Sequence, residues 1–290
     1  MPQSFLAATD FSRHARFAAE RAAMLAAEHS AGLALLHVLA KAPLDALRAE
    51  FRIAPEAATK LVADVNHTLA RLASLLSKRT GVAPVARVEV GEVLEVLIHE
   101  CDSADLLVVG SRGAHRLRGM ILGSTVERLL GKCPRPVLVV KRAPRAPYSR
   151  VLVPVDLSTR SSSALRMALR VAPTSAVTVS HAYNVPFEEK LHVAGVADED
   201  IEGYRVETAS NAAAALRKVV EDVAGDTRRI AHVVQQQSPP RSVMETERTL
   251  VPDLIVMGKR NRPPLERVLV GSVTRHVLAQ SRCDVLVVPA

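Results

Sequence analysis

The chain has 290 residues, enough for two domains of ordinary size, and its 48% hydrophobic and 23% charged residues are typical of a folded soluble protein. Its net charge is +8, but the basic residues are scattered and only 3% of residues are aromatic, so we do not expect nucleic-acid binding. The sequence has no apolar run of about 18 residues and no signal-like start, which indicates a soluble cytoplasmic protein without a membrane segment.

The first half alternates short apolar strands with amphipathic helices. Ser12 is placed to cap an Ala-rich helix that reaches about Glu28, and Gly81 to follow the end of a longer one. The predicted strands are Phe5–Ala8, 33–40, Val85–Val90, 106–109 and Pro136–Lys141, and the predicted helices are 12–28, Pro55–Lys78, Val93–Glu100 and one starting at Ser124. This alternation predicts a parallel sheet covered by helices on both faces.

The second half repeats this order after a linker. Residues 142–148 contain two prolines and two arginines without an apolar period, so we place two domains at 1–142 and 149–290. The segment Glu188–Asp200 is the least regular and is expected to be a mobile flap over a second site. The predicted strands are 150–155, 175–182, 230–234, 254–257 and Val285–Val288, and helices are predicted from Ser158, over Glu202–Val223, near Ser242 and from Ser272.

A glycine-punctuated loop in the first half has the chemistry of an anion site. Gly110 ends an apolar strand, Gly113 follows after two residues, and Gly123 and Ser124 follow after nine more. Glycines let the backbone approach a ligand closely, and the N–H groups at a helix start bind anions. The alternative is a surface loop that needs glycines for its turns. Positive charge in the loop favours the anion site, and comes from Arg112, His115, Arg116 and Arg118.

The same arrangement recurs in the second half. Gly258, Gly271 and Ser272 stand at one constant offset from Gly110, Gly123 and Ser124. A repeat that keeps both spacing and residue type favours a ligand site over a turn requirement. In the second loop Asn261 replaces the middle glycine, and two prolines follow it. We therefore expect the first site to bind better, and the second to be weak, altered or vacant.

The spacing of Gly, two residues, Gly, nine residues and Gly-Ser, between a short strand and a helix, resembles the ATP-binding signature of the universal stress protein family. The tandem, two-domain form is most similar, because FLAATDFS and VLVPVDLS each open a half with a strand that ends in Asp, followed by Ser. The resemblance implies an α/β fold of two tandem doubly wound domains, Rossmann-like and of the adenine-nucleotide α-hydrolase type. Each would hold a five-stranded parallel sheet with a last strand that pairs antiparallel.

The resemblance also implies site residues around the carboxyl ends of the strands, where open parallel sheets bind ligands. The implied ligand is ATP or a related adenine nucleotide, with or without Mg²⁺, held mainly in the first domain. Thr9, Asp10 and Val38 would hold the adenosine end. The other implied positions, around the ribose, the phosphates and the second site, are Val109, Gly110, Arg112, Gly113, Gly123, Ser124, Thr125, Val126, Asp156, Gly258, Asn261, Gly271, Ser272, Val273 and Thr274.

Alternative interpretations accompany several of these residues. Asp10 and Asp156 also fit acids that stabilise a turn or a helix N-terminus. Val126 stands where the second half has Thr274, so the first site lacks one hydroxyl. The sequence has no Walker A loop, no G-x-G-x-x-G and no G-x-S-x-G elbow, which argues against P-loop hydrolysis, dinucleotide oxidoreduction and serine hydrolysis.

Histidines and cysteines add little chemistry at this level. We interpret His37 and His181, late in the second strand of each half, as satisfied strand histidines rather than ligands. His99, Cys101 and Asp102 are close in the sequence, but no fourth residue completes the ligand set of a zinc site. The three cysteines, which form no C-x-x-C pair, are interpreted as buried small hydrophobic residues in a reducing compartment, and are Cys101, Cys133 and Cys283.

Three functions are compatible with these patterns. The favoured one is a nucleotide-binding stress or signalling protein, in which ATP orders the glycine-punctuated loop and changes which protein partner the chain binds. The second is slow ATP hydrolysis or autophosphorylation at Ser124 or Thr125, although no base is evident nearby. The third is a nucleotide-free scaffold. The last strands, PVLVVK and DVLVVP, need covered edges, and the resemblance implies their antiparallel pairing within one chain as a pseudo-dimer or between two chains as a homodimer.

Overall fold

The computed structural model describes residues 2–41, 55–113, 122–224, 229–259 and 271–289. The chain forms two compact units. Unit 1 contains Met1–Pro147 together with Arg282–Pro289, and unit 2 contains Tyr148–Arg260 together with Gly271–Ser281. The end of the chain is therefore part of the first unit.

Unit 1 is a mostly parallel sheet with flanking helices. Its strands are β1 (Ser4–Ala8), β2 (Gly32–Ala40), β3 (Val85–Gly91), β4 (Leu106–Gly110), β5 (Val137–Val140) and β10 (Asp284–Val288), and its helices are α1 (Arg13–His29), α2 (Pro55–Thr80), α3 (Val93–Cys101) and α4 (Ser124–Lys132). The strand order is β3-β2-β1-β4-β5-β10, with β1 to β5 parallel and β10 antiparallel to β5. The predicted fold class is confirmed here.

Unit 2 repeats the parallel part of this architecture. Its strands are β6 (Arg150–Val155), β7 (Ala176–Tyr183), β8 (Ile230–Gln236) and β9 (Leu254–Gly258), and its helices are α5 (Thr159–Val171), α6 (Glu188–Val193), α7 (Asp198–Glu221), α8 (Pro239–Leu250) and α9 (Ser272–Gln280). The strand order is β9-β6-β7-β8, and all three pairs are parallel.

The core of unit 1 follows from continuous apolar runs in its central strands. All of β4 and β5 is buried, as expected for parallel strands covered on both faces. Helix α1 lies close to the sheet because its buried positions are mostly alanines, which leave little distance between helix and strand. The hydroxyl of Ser12 accepts from the backbone N–H of Ala15, and Ser30 ends the helix in the left-handed conformation. The predicted Ser12 cap is confirmed.

The described helices other than α6, which has no buried residue, bury one face each. In α4, for example, Leu129 and Leu130 are buried while Arg128 is exposed. None of the helices in the described ranges has a stretch both long and apolar enough to cross a membrane.

The segment predicted as irregular is helical, and that prediction is wrong. Residues 188–193 form α6, and α7 begins at Asp198, earlier than the predicted Glu202. Three consecutive acids at 198–200 stabilise the start of α7 through its positive end. The carboxylate of Glu188 accepts from the Arg205 guanidinium and, at 2.8 Å, from the Gln236 amide, so the start of α6 is held against α7 and β8.

The terminal strand is fastened to unit 1 by buried polar contacts. Strand β10 pairs with β5 so that Leu286 lies opposite Leu138. Asp284, only 2% exposed, accepts from the Lys141 backbone N–H at 2.9 Å and lies 3.6 Å from Nε of the buried Arg21. The predicted antiparallel pairing of this strand is confirmed, whereas the boundaries at 1–142 and 149–290 stay a prediction.

Candidate functional site

The first strand and the fourth strand bring the two sequence motifs of unit 1 together. Strand β1 pairs with β4 in parallel, with Phe5 opposite Leu106 and Ala7 opposite Val108. The residues that follow each strand therefore leave the same edge of the sheet side by side. These residues are the β1–α1 turn (residues 9–12) and the β4–α4 loop (residues 111–123), of which 114–121 lie outside the described residues.

The β1–α1 turn presents a carboxylate to solvent. Thr9 is buried, and its N–H donates to the Leu36 carbonyl at 2.8 Å. Its hydroxyl accepts from the N–H of Phe11 at 3.1 Å, and Phe11 adopts a left-handed φ of 62°. Asp10 is exposed, and its Oδ1 accepts from the N–H of Ser12 at 3.0 Å. Asp10 thus acts as a turn residue, while its exposed carboxylate lies at the carboxyl ends of the strands.

Gly110 has a packing role. A Cβ at this position would lie 2.5 Å from the carbonyl carbon of His14 and 2.7 Å from the Ala15 nitrogen. Both are backbone atoms in the first turn of α1, so a side chain at Gly110 could be accommodated only if the helix moved. The glycine therefore lets α1 lie directly against the end of β4, beside the buried Val109.

Gly113 lies directly against the acid of the β1–α1 turn. A Cβ at Gly113 would be 2.8 Å from Oδ2 of Asp10. The two segments are also joined by the Ser12 hydroxyl, which donates to the carbonyl of Arg112 at 3.4 Å. The structure thus brings together an exposed carboxylate and a glycine backbone that are about a hundred residues apart in the chain.

Helix α4 begins beside this contact without a side-chain cap. Its N-cap is Gly123, whose N–H donates to the Ser111 carbonyl at 3.0 Å. The N–H groups of the next three residues have no carbonyl partner within the helix, as at any helix start. Ser124 and Thr125 are exposed, whereas Val126 is buried. Amides and hydroxyls in this arrangement suit an anion.

A histidine in each unit supports the turn that carries the acid. Nδ1 of His37 lies 2.8 Å from the Thr9 carbonyl, and Nδ1 of His181 lies 2.9 Å from the Val155 carbonyl. Because a carbonyl only accepts, each Nδ1 carries the proton. The interpretation of both as satisfied strand histidines is confirmed. The predicted contact residue Val38 follows His37 in β2 and is half-buried.

The second unit repeats the turn but uses its acid differently. Leu157 has a left-handed φ of 59°, like Phe11. Oδ1 of Asp156 accepts from the N–H of Ser158 at 3.2 Å, from the hydroxyl of Ser158, and from the hydroxyl of Ser161 at 3.1 Å. Ser161 is 3% exposed and also accepts from the Asp156 N–H at 3.1 Å. This carboxylate oxygen is occupied within its own turn.

Helix α9 begins as α4 does, at an uncapped glycine. Ser272 is exposed and Val273 half-buried, while Gly258 ends β9. Thr274 is buried, like Val126, so the extra hydroxyl of the second half belongs to a residue with little exposed surface. Among the described residues, a Cβ at Gly271 would meet no atom within 4 Å. Asn261, and in unit 1 the loop residues His115, Arg116 and Arg118, lie outside the described residues.

A family assignment agrees with this geometry in both halves. The model of the universal stress protein family matches residues 1–141 and again residues 147–289. The chain belongs to the universal stress protein family. The sequence resemblance, including the tandem form, is thereby confirmed.

The relatives in this family include proteins that match most of the chain and proteins that match about half of it. A universal stress protein of Mycolicibacterium smegmatis is 28% identical over 256 residues, covering 84% of this chain and 79% of the relative. One from Methanocaldococcus jannaschii is 28% identical over 142 residues, covering 49% of this chain and 82% of the relative. The fold is shared with the crystal structure of a universal stress protein from Archaeoglobus fulgidus, with a TM-score of 0.65 at 18% identity over 99% of this chain and 98% of the other.

Sequence reasoning missed the residue that distinguishes the two turns of this tandem universal stress protein fold. Ser161 stands where unit 1 has Ala15, because Ser158 corresponds to Ser12. The signal was present in the repeat, since the two halves differ at this position between a hydroxyl and a methyl group. Its consequence, a second hydroxyl on the acid, requires the folded turn.

Proposed function

We propose that the chain binds ATP or a related adenine nucleotide, mainly in unit 1, and acts as a nucleotide-responsive stress or signalling protein. Membership of the universal stress protein family supports the class of protein. One observation carries the proposal: the Gly113 backbone lies against the exposed Asp10 carboxylate, beside the uncapped start of α4. A nucleoside and its phosphates need this combination of an acceptor, a close backbone and free amides.

The residues present fit a nucleotide. The Asp10 carboxylate would accept from ribose hydroxyls or the amino group of the base. The amides at the start of α4, with the hydroxyls of Ser124 and Thr125, would donate to phosphate oxygens. Gly113 provides a cradle that any side chain would fill. Mg²⁺ would accompany ATP by neutralising phosphate charge, as such hard cations do.

We propose that unit 2 binds nucleotide weakly or not at all. Its equivalent acid, Asp156, has one oxygen engaged by Ser158 and Ser161. A ligand hydroxyl that approached this oxygen would have to displace those donors, and exchanging one hydrogen bond for another gains little free energy. The replacement of the middle glycine by Asn261 acts in the same direction.

A pair of matched variants tests this function. Ligand released from freshly purified protein is identified by mass spectrometry, and the affinities for ATP, ADP, AMP and GTP are measured by calorimetry. We expect about one adenine nucleotide per chain, with at least roughly tenfold weaker binding in Asp10→Ala and little change in Asp156→Ala. Equal losses in both variants, or no binding by the wild type, would contradict the proposal.

The same samples separate binding from catalysis. If the chain were an enzyme, incubation with ATP and Mg²⁺ would release phosphate or label the protein above the level of a Ser124→Ala control. We expect neither, because no evident base accompanies the hydroxyls of Ser124 and Thr125 in the sequence, and phosphoryl transfer needs such a group. Steady turnover sensitive to Ser124→Ala would replace the signalling proposal with a slow ATPase or kinase.

We further propose a cytoplasmic protein with an as yet unidentified protein partner. In unit 1, β10 already covers the β5 edge, which supports a pseudo-dimer within one chain over pairing at this edge in a homodimer. Light scattering of the purified protein distinguishes the two, since only the homodimer doubles the 31.2 kDa mass of one chain.

A further inference from the structure

Two cysteines that are far apart in the sequence meet in the core of unit 1. The Sγ atoms of Cys101 and Cys133 are 3.0 Å apart, and the side chains are 0% and 2% exposed. Cys101 is the last residue of α3, and Cys133 directly follows α4. No disulfide joins the cysteines of this chain. The sulfurs need to approach by only about 1 Å to reach the roughly 2 Å of an S–S bond.

The surroundings of the pair keep it reduced at rest. The Cys133 thiol, burial and the negative charges of Cys133 and Asp102 raise the pKa of the Cys101 thiol far above its ordinary value, outweighing the opposite effect of Arg135. The Cys101 thiol also donates to the Ile98 carbonyl at 3.1 Å. A protonated, buried thiol is a poor nucleophile, so mild oxidants leave it unchanged.

One exposed hydrogen bond joins the two segments that hold the pair. Nη2 of Arg135 donates to the carbonyl of Asp102 at 3.0 Å, and both residues are exposed. Arg135 lies two residues beyond Cys133, and Asp102 directly follows Cys101, so this bond joins the same two segments as the thiols. Helix ends open more easily than helix centres, and opening here admits a small oxidant.

Metal binding is a weaker interpretation of the pair. Within the described part of the chain, no three His, Cys, Asp or Glu side chains are grouped as a metal site requires. Two thiols without further ligands do not complete the four positions of a zinc site. Their chemistry is therefore that of a dithiol.

We propose that Cys101 and Cys133 form a redox-modification site that a hydroperoxide converts into an intramolecular disulfide. One thiol, as its thiolate, attacks a peroxide oxygen and becomes a sulfenic acid as water is released. The second thiol attacks that sulfur, the S–S bond forms, and a second water leaves. For hydrogen peroxide, two thiols are oxidised by two electrons and one peroxide is reduced to two waters.

The bond would join the ends of two helices of unit 1. Helix α4 begins at the candidate nucleotide site and ends at this pair, so the bond would anchor one end of the helix that bears the site. Cross-links of this kind restrict the unfolded chain and raise the unfolding temperature. The proposal does not depend on nucleotide binding.

Mass spectrometry of the full chain tests the proposal. The reduced protein is treated with hydrogen peroxide in native buffer, remaining thiols are alkylated after denaturation, and the linked peptides are mapped. We expect a loss of about 2 Da, one alkylated cysteine instead of three, and a peptide pair joining Cys101 to Cys133. A different pairing, or sulfinic acid without a disulfide, would overturn the proposal.

Three variants provide the controls. Cys283→Ser alters the third buried cysteine and should form the same disulfide as the wild type. Cys133→Ser should leave no intramolecular disulfide. Arg135→Ala removes the exposed hydrogen bond and should oxidise several-fold faster, with no loss of folding because the side chain is exposed. An unchanged rate in Arg135→Ala would refute the assigned path of access, and disulfide formation in Cys133→Ser would refute the pair.

Discussion

The β1–α1 turn of unit 1 and the β6–α5 turn of unit 2 (residues 155–158) share a backbone conformation, but the first turn of the helix that follows brings a different side chain to each acid. Both have a non-glycine residue in the left-handed region, with φ of 62° at Phe11 and 59° at Leu157. In both, a histidine of the neighbouring strand donates to the carbonyl before the acid. The Asp156 carboxylate, however, also receives the Ser161 hydroxyl, where unit 1 has Ala15. A repeated scaffold can thus keep its geometry while the chemistry available to a ligand changes.

The glycines of the two units make a second contrast. In unit 1, added Cβ atoms at Gly110 and Gly113 would press on α1 and on Asp10. In unit 2, a Cβ at Gly271 would contact none of the described atoms within 4 Å. The motif glycines of this chain therefore differ in what they contact. Gly110 allows close packing, Gly113 allows close approach to the Asp10 carboxylate, and the described neighbours of Gly271 do not require a glycine.

The largest effect is expected for Gly110→Ala. The new methyl would overlap the backbone of His14 and Ala15, so α1 or β4 must shift. We expect a loss of about 2–4 kcal/mol in the free energy of unfolding of unit 1. Denaturant unfolding measures this loss. Gly271→Ala is the control, because a methyl there meets no described atom within 4 Å, and its loss should stay within about 0.5 kcal/mol. An equal loss in both variants would refute the packing role.

Gly113→Ala should affect binding more than stability. Its methyl would lie 2.8 Å from Oδ2 of Asp10 and fill the space beside the uncapped helix. We expect ATP affinity to fall by roughly tenfold to a hundredfold, about 1.4–2.7 kcal/mol, with an unfolding free energy within about 1 kcal/mol of the wild type. Calorimetric titration beside an unfolding curve checks both. Unaltered affinity would remove the Gly113–Asp10 contact from the site.

His37→Leu should weaken the turn that carries Asp10. The Thr9 carbonyl would lose its hydrogen bond, and Phe11 would lose the ring that lies 4.6 Å from its own. We expect about 1–2 kcal/mol of destabilisation. His181→Leu should lose less, because Leu157 offers no ring to stack. Thermal unfolding of both variants tests the difference, and equal losses would show that the stacking contributes nothing.

The smallest effect is expected for Ser161→Ala. This variant tests the comparison of the two acid-bearing turns most directly. Removing the hydroxyl should release one donor from Asp156 and destabilise unit 2 by about 1 kcal/mol. Weak ATP binding in unit 2 should then strengthen by a few-fold, and the reciprocal Ala15→Ser should weaken unit 1 similarly. Titration of each variant against the wild type measures this. Unaltered binding in both would mean that the second loop, rather than the turn, separates the two sites.

Features that depend on local sequence patterns were predictable from the residues alone. The strands and helices follow from the period of apolar residues, the Ser12 cap from a hydroxyl before a helix, and the tandem family from a glycine spacing that occurs twice. These depend on residues a few positions apart. The start of α7 was equally local, in its run of acids, and was overlooked.

Other features required contacts between residues about thirty to two hundred and sixty positions apart. They include the overlap of Gly110 with α1, the approach of Gly113 to Asp10, the meeting of Cys101 and Cys133, and the burial of Asp284 beside Arg21. No period or spacing encodes them, because they arise only when strands of one sheet bring distant segments to a common edge or core. Local composition thus determined the elements, the repeat and the family of this protein, and packing among those elements decided which acid, glycine and thiol came within reach of one another.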